Sequence, residues 1–288
     1  SPMTVISDVP ERRTWQALGP ALPRPRAILV VSAHWQTQGR THVTAGHAPR
    51  TIHDFRGFPD ELFAMQYPAP GSPELVARVT ELLGPDRVQA DESWGFDHGA
   101  WGVIQPMFPA AAIPMVAMSL DRSLSPDAHV DIGRRLAPLR DEGVLLVASG
   151  NVIHNLAMWR QSAGTQPDWA LEFRERITNA IVAKDVAALT RFSGDDQAAA
   201  LAINSAEHYL PLLYTLGARL PGDEVGVFND TLDGALSMTS YVIGDTAPLA
   251  QFRKGKEITR TFPPGTTDLE RVSWWMDYEA KAGYYDCK

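Results

Sequence analysis

The sequence is nearly without cysteine: Cys287, second from the end of 288 residues, is the only one. That excludes an internal disulfide framework and any cysteine-based zinc site, and it fits a reducing compartment. Basic blocks are missing too. With 26 Lys and Arg against 34 Asp and Glu, the formal charge is −8, the wrong balance for a surface that grips a phosphate backbone, so no nucleic-acid partner is expected. No stretch approaches the ~18–20 continuous apolar residues of a membrane span and no signal-peptide pattern stands out, so no membrane partner is expected and the expected location is the cytoplasm. Several catalytic motifs are also absent. Ser149 and Gly150 follow an apolar run but lack the G-x-S-x-G elbow of a hydrolase. No G-x-G-x-x-G or G-x-x-x-x-G-K-[ST] provides for a nucleotide, and no H-E-x-x-H or C-x-x-C provides a local metal motif.

What is present is a core-forming chain, 44% apolar, in which short apolar runs alternate with helix-like stretches. Ala27–Ser32, Ile113–Leu120 and Val144–Ser149 read as strands that are apolar on both faces, as expected of a sheet covered by helices on each side. Ser72 followed by Pro73 and stopped by Gly84-Pro85 marks a helix over 73–83. Further helical stretches are predicted over 125–143, 167–192 and 206–220. The expected fold is therefore α/β, a single domain over 1–244 with a central mostly parallel or mixed sheet. After Gly244 the character changes, and residues 245–288 read as a C-terminal arm. Its Trp- and Tyr-rich end, "VSWWMDYEAKAGYY", is expected to pack on the body or on a neighbouring subunit, in a monomer or a homodimer.

Three of the eight histidines stand where an element begins or ends. His34 closes the strand "ILVVSA", His154 follows "VLLVASGNVI", and His208 opens "EHYLPLLYTLGA". Ligands of open α/β sheets bind beyond the carboxyl ends of the strands, so these imidazoles are placed to share one cleft, where neutral His would suit Fe, Zn, Cu or Ni. Taken singly, each also reads as a satisfied polar residue at a strand end. A second group lies in "TIHDFRGFP", with His53 and Asp54, and in "WGFDHGAWG", with Asp97 and His98. Trp94, Phe96 and Trp101 are expected to wall an apolar pocket for a flat aromatic ligand; the plainer alternative is a Gly-rich turn stapled by tryptophans. His42, His47 and His129 have no such context and read as surface residues.

As a set, "RPRAILVVSAHW", "TIHDFRGFPDELFAMQYPAPGSPELV", "WGFDHGAWGVIQPMFP", "IPMVAMSLD", "LRDEGVLLVASGNVIHNL" and "EHYLPLLYTLGA" resemble the DOPA extradiol dioxygenase family. That family belongs to the class III, LigB-like, ring-cleavage enzymes. The resemblance runs from Ser1 to about Gly244 and does not cover the arm. It implies an oxidoreductase with a non-haem metal, usually Fe(II) and in some members Zn(II), at the mouth of an α/β sheet. The implied reaction joins both atoms of O2 to a catechol and opens its ring to a muconic semialdehyde. Carried over by motif, His34 and His208 are metal ligands. His154 is the acid/base and comes close enough to join the metal's shell. His98 is catalytic and lines a substrate pocket together with His53, Trp94, Phe96 and Trp101. The family's "HGSPM" carries one more ligand histidine, and here the sequence reads from Ser1-Pro2-Met3, so that ligand is expected among residues upstream. Two other functions stay open at this point: a zinc-dependent hydrolase on the same scaffold, and an idle protein that binds a small aromatic ligand.

Overall fold

The computed structural model describes residues 2–192, 196–254, 259–260 and 286–287. The central sheet has five strands: β1 (Ala27–Thr37), β2 (Thr41–Thr44), β3 (Val88–Asp91), β4 (Met115–Asp121) and β5 (Val144–Ser149). Their order is β3-β2-β4-β1-β5. β1 runs parallel to both β4 and β5, β2 runs parallel to β3, and β2 meets β4 antiparallel, so the sheet is mixed. A second sheet is built on the antiparallel pair β6 (Glu224–Phe228) and β7 (Ser240–Gly244).

Both faces of the main sheet are covered, as the two-sided apolar strands require. Leu29, Val31, Val116 and Met118 pack into one core, while Ile28, Val30, Met115 and Ala117 pack into another on the opposite face. Period-2 alternation along β1 and β4 thus feeds two separate cores. The principal helices are α1 (Pro10–Ala21), α2 (Pro73–Leu83), α3 (His98–Met107), α4 (Pro126–Leu136), α5 (Asp168–Ala183) and α6 (Leu210–Gly217). Helices α2, α4, α5 and α6 contribute to the first core, α1 and α3 to the second.

The structure departs from the sequence reading at several points. β1 does not end at His34 but runs on to Thr37. The helix expected over 125–143 breaks after Leu136 and restarts at Pro138, whose ring nitrogen has no hydrogen to donate to the preceding turn. Lys184 takes a left-handed conformation, φ 59°, and closes α5 ahead of a short helix over Val186–Thr190. "WGFDHGAWG" is a helix start, with Asp97 as the cap and His98 as the first helical residue. His129 is no surface residue: it is fully buried, its Nδ1 2.8 Å from the Tyr214 hydroxyl. Beyond Gly244, Ala247–Lys254 forms a 3-10 segment that buries Leu249, Thr259–Arg260 pairs with β6, and Asp286–Cys287 pairs with Phe55–Arg56. The tryptophan-rich stretch of the arm lies outside the described residues.

Candidate active site

Four imidazoles gather at the carboxyl end of β1 and β5. His34 is carried by β1, His98 by the first turn of α3, His154 by the segment after β5, and His208 by the 3-10 turn Ala206–His208 that leads into α6. Ring centroids of His34 and His98 are 4.0 Å apart, those of His34 and His208 5.2 Å, and His154 stacks on His208 at 3.5 Å with the planes 5° apart. These residues are separated by up to 174 positions in the chain, 208 minus 34. Main-chain contacts draw them together: the amide of Asn151 donates to the carbonyl of His208 at 2.7 Å, and the amide of His154 donates to Ala202 at 3.0 Å.

Two carboxylates orient the rings. Asp54 lies 3.2 Å from His34 Nδ1 through one oxygen and 2.9 Å from His98 Nδ1 through the other, and it also accepts the His98 backbone N–H at 2.8 Å. Glu207 plays the same part for His208, with Oε1 3.2 Å from Nδ1. Burial alone would raise the Asp54 carboxyl; the hydrogen bonds from His34 and His98 outweigh it and hold the group well below the usual carboxylate range. Glu207 behaves likewise, with burial opposing and His208 and Ser205 prevailing, and settles at about 2. Burial, reinforced by the neighbouring His34, lowers His98 to about 4 even though Asp54 opposes the shift. Burial also lowers His154 and His208. His98, His154 and His208 are therefore neutral imidazoles at neutral pH, beside the anionic carboxylates of Asp54 and Glu207.

That is a donor set suited to a divalent metal. An imidazole whose Nδ1–H is held by a carboxylate presents Nε2 as an unprotonated donor, a common arrangement around metal-bound histidine. His34, Asp54 and His98 form one group whose potential ligand atoms all lie within 4.8 Å of one another, and His154, Glu207 and His208 form a second. Among the described residues, no carboxylate stands within ion-pair distance of His154. It is the ring in the cluster least committed to a fixed tautomer.

The four histidines share a cavity of about 960 Å³, walled on its apolar side by Phe58, Trp159, Leu236 and Met238. It continues as a slot along the outer edge of β5 and the facing edge of β7, every residue of Val144–Ala148 and Ser240–Gly244 contributing to its walls. Of the pocket residues expected from sequence, only His98 lines this space. Phe96 and Trp101 are wholly buried in the second core, and the Trp101 indole donates to Ile52. Trp94 stacks on Trp35 at 5.4 Å, and His53 packs beside Trp101 with Nε2 2.9 Å from the Met65 carbonyl.

Residues 13–233 match the family model described as the catalytic LigB subunit of aromatic ring-opening dioxygenase. The chain belongs to this family. It is 48% identical to the 4,5-DOPA dioxygenase extradiol of Escherichia coli K12, over 85% of this chain and 92% of that protein. The protein of the same description from Beta vulgaris is 36% identical, over 77% and 84%. A dioxygenase of Hapsidospora irregularis, tasH, is 32% identical, over 76% and 72%. A crystal structure of an uncharacterized E. coli K12 protein superposes with a TM-score of 0.67 at 42% identity, covering 80% of this chain and 91% of that one. The α/β fold and the extradiol ring-cleaving dioxygenase activity implied by the sequence are thereby established. No helix among the described residues is long and apolar enough to cross a membrane.

Proposed function

We propose that this LigB-family dioxygenase cleaves the ring of a catechol with O2, using Fe(II) held at the four-histidine cluster, to give a muconic semialdehyde. The observation that carries this reading is the convergence of His34, His98, His154 and His208 on one cavity, three of them oriented by Asp54 or Glu207. His34 and His208 would hold the metal, with His154 close enough to join them. Pro2–Val5 is buried, and Thr4 lines the cavity that the four histidines share. When bound, the metal supplies the redox route from catechol to dioxygen, work that Fe(II) performs and Zn(II) does not.

The chain's own residues do the rest. His154, neutral and buried against His208, accepts the proton of a catechol hydroxyl and returns it as the ring opens; such positioned transfer is worth typically ~10²–10⁴-fold in rate. His98, fixed through Nδ1 by Asp54, offers its other nitrogen to a catechol oxygen or to dioxygen. Phe58, Leu236 and Met238 hold the flat ring and exclude water.

The test is oxygen uptake by Fe(II)-loaded protein with a panel of catechols. One O2 consumed per catechol, no turnover without oxygen, and loss of turnover in His154→Ala with metal and catechol binding retained are the expected results. Turnover that persists anaerobically would replace this reading with a hydrolytic one. Undiminished ring cleavage by His154→Ala would remove His154 from the mechanism.

A further inference from the structure

β1 departs from regular pairing at the segment that carries His34. Val31 pairs with Met118 and Gln36 with Leu120, so the four residues Ser32–Trp35 stand against Ser119 alone. Such a bulge re-aims a side chain, and it loses ladder hydrogen bonds in doing so. Something else must then fix where His34 comes to rest.

A buried side-chain pair sits under the bulge. Ser32 Oγ donates to Asp97 Oδ1 at 2.6 Å and accepts the backbone N–H of His34 at 3.2 Å. Asp97 Oδ1 also accepts the Ala100 amide at 3.1 Å, which makes it the cap of α3, and the Trp94 indole donates to Oδ2 at 3.4 Å. Both Ser32 and Asp97 are wholly buried. A carboxyl group removed from water is costly unless its hydrogen bonds are filled, so its presence here calls for a role beyond capping. The fit around it is tight. A Cβ on Gly99 would come within 2.6 Å of Ser32 Oγ, 2.9 Å of the His34 ring and 3.1 Å of Asp97 Oδ1.

We propose that Ser32 and Asp97 are positioning residues: a buried clasp that ties the bulge bearing His34 to the helix start bearing His98, and so sets where His34 stands for metal binding relative to the substrate-facing His98. One carboxyl group reaches both histidine-bearing elements, through Ser32 to β1 and through the cap to the first turn of α3. The clasp works from beneath the rings, whereas Asp54 works at their Nδ1 atoms. The inference rests on His34 being a metal ligand.

The experiment is cobalt(II) titration of otherwise metal-free protein, without substrate or oxygen, following the visible absorption band and the dissociation constant. Ser32→Ala removes the clasp and leaves the cap; it should weaken cobalt binding ~10-fold and shift the band, as loss of supporting groups around metal ligands does. Asp97→Asn keeps an acceptor for both Ser32 and Ala100, and should bind within about twofold of the parent. Ser32→Ala combined with Asp97→Ala should be no weaker than Asp97→Ala alone, because the two residues act as one unit. If Asp97→Ala fails to fold, judged by circular dichroism without metal, Ser32→Ala and Asp97→Asn decide the matter. Unchanged affinity and band in Ser32→Ala, with binding lost in His34→Ala, would overturn the clasp and leave the metal centre standing. Unchanged cobalt binding in His34→Ala would overturn the metal assignment, and the clasp with it.

Discussion

Replacing Asp54 by asparagine tests the electrostatic logic of the site with almost no change in shape. In the native protein each carboxylate oxygen faces an imidazole Nδ1, at 2.9 Å for His98 and 3.2 Å for His34, and one of them also accepts the His98 amide at 2.8 Å. A neutral imidazole placed in this way is expected to carry its proton on Nδ1, toward the carboxylate. An asparagine has one acceptor oxygen. Its best placement keeps that oxygen on the His98 side, where two donors converge, and turns the amide nitrogen toward His34. Donor then faces donor, and His34 relieves the clash by moving its proton to Nε2, the nitrogen that would bind metal. Losing such an orienting carboxylate typically costs 10–100-fold in metal affinity, or about 1.4–2.7 kcal/mol. Asp54→Asn should therefore bind Zn(II) or Co(II) more weakly by that factor in competition with a chromophoric chelator, while its metal-free melting temperature stays near that of the parent. Wild-type affinity in Asp54→Asn would refute the tautomer argument. A loss far beyond ~100-fold would refute it from the other side, by making Asp54 a direct ligand.

Two further outcomes follow from burial elsewhere. His129 is fully buried and, through burial, its pKa falls to about 4, below an unfolded value near 6.5. The unfolded chain thus takes up a proton that the folded chain refuses, so this contribution to stability is intact above about pH 6.5 and is lost as pH falls toward 4. Between neutral pH and about pH 4.5 the loss comes to about 2.5 kcal/mol; urea unfolding should show His129→Asn, which retains a partner for Tyr214, to be less acid-sensitive by roughly that amount, and equal acid sensitivity would contradict the burial argument. Gly150→Ala would put a Cβ 2.1 Å from the His208 carbonyl oxygen, a main-chain atom with no rotamer to change. Overpacking of that kind typically costs 1–3 kcal/mol, and here it should also weaken metal binding because it pushes His208 away; a variant with parental stability and affinity would show that the two segments are freer than their contacts imply.

The fold was largely legible because its strongest signals are local. Runs such as "ILVVSA" and "VLLVAS" are apolar at both parities, and the structure gives each parity of β1 its own core. The breaks at Pro138 and Lys184 were missed because the apolar pattern continues across them, while backbone chemistry decides where the helix stops. In the site, His154 and His208 announce themselves by sitting beside element ends, and His34 by closing the apolar run "ILVVSA", although β1 itself continues to Thr37. The carboxylates do not. Asp54 follows His53 and Glu207 precedes His208, yet nothing local shows that Asp54 reaches His98, 44 residues away, or that Ser32 meets Asp97 across 65. Trp94, Phe96 and Trp101 looked like pocket walls because large rings near glycines suit one. Their apolar area is instead committed to core packing and to stacking on Trp35, and the cavity takes its walls from Phe58, Trp159, Leu236 and Met238 on separate segments.

The imidazoles are held by two kinds of restraint that fail differently. Carboxylates facing Nδ1 of His34, His98 and His208 bias which nitrogen carries the proton, and a change there alters donor chemistry while leaving the rings in place. Main-chain approaches fix where the rings stand. Gly99 permits the contact with His34, Gly150 permits the contact with His208, and the amides of Asn151 and His154 lock the segment after β5 onto its neighbours. Because close-packed backbone has little freedom to relax, the second kind tolerates almost no added volume. Asp54→Asn and Gly150→Ala should therefore part company: the first weakens metal binding at nearly unchanged stability, the second costs stability and binding together. That separation marks a site whose chemistry is tuned by side chains on a frame set by the main chain.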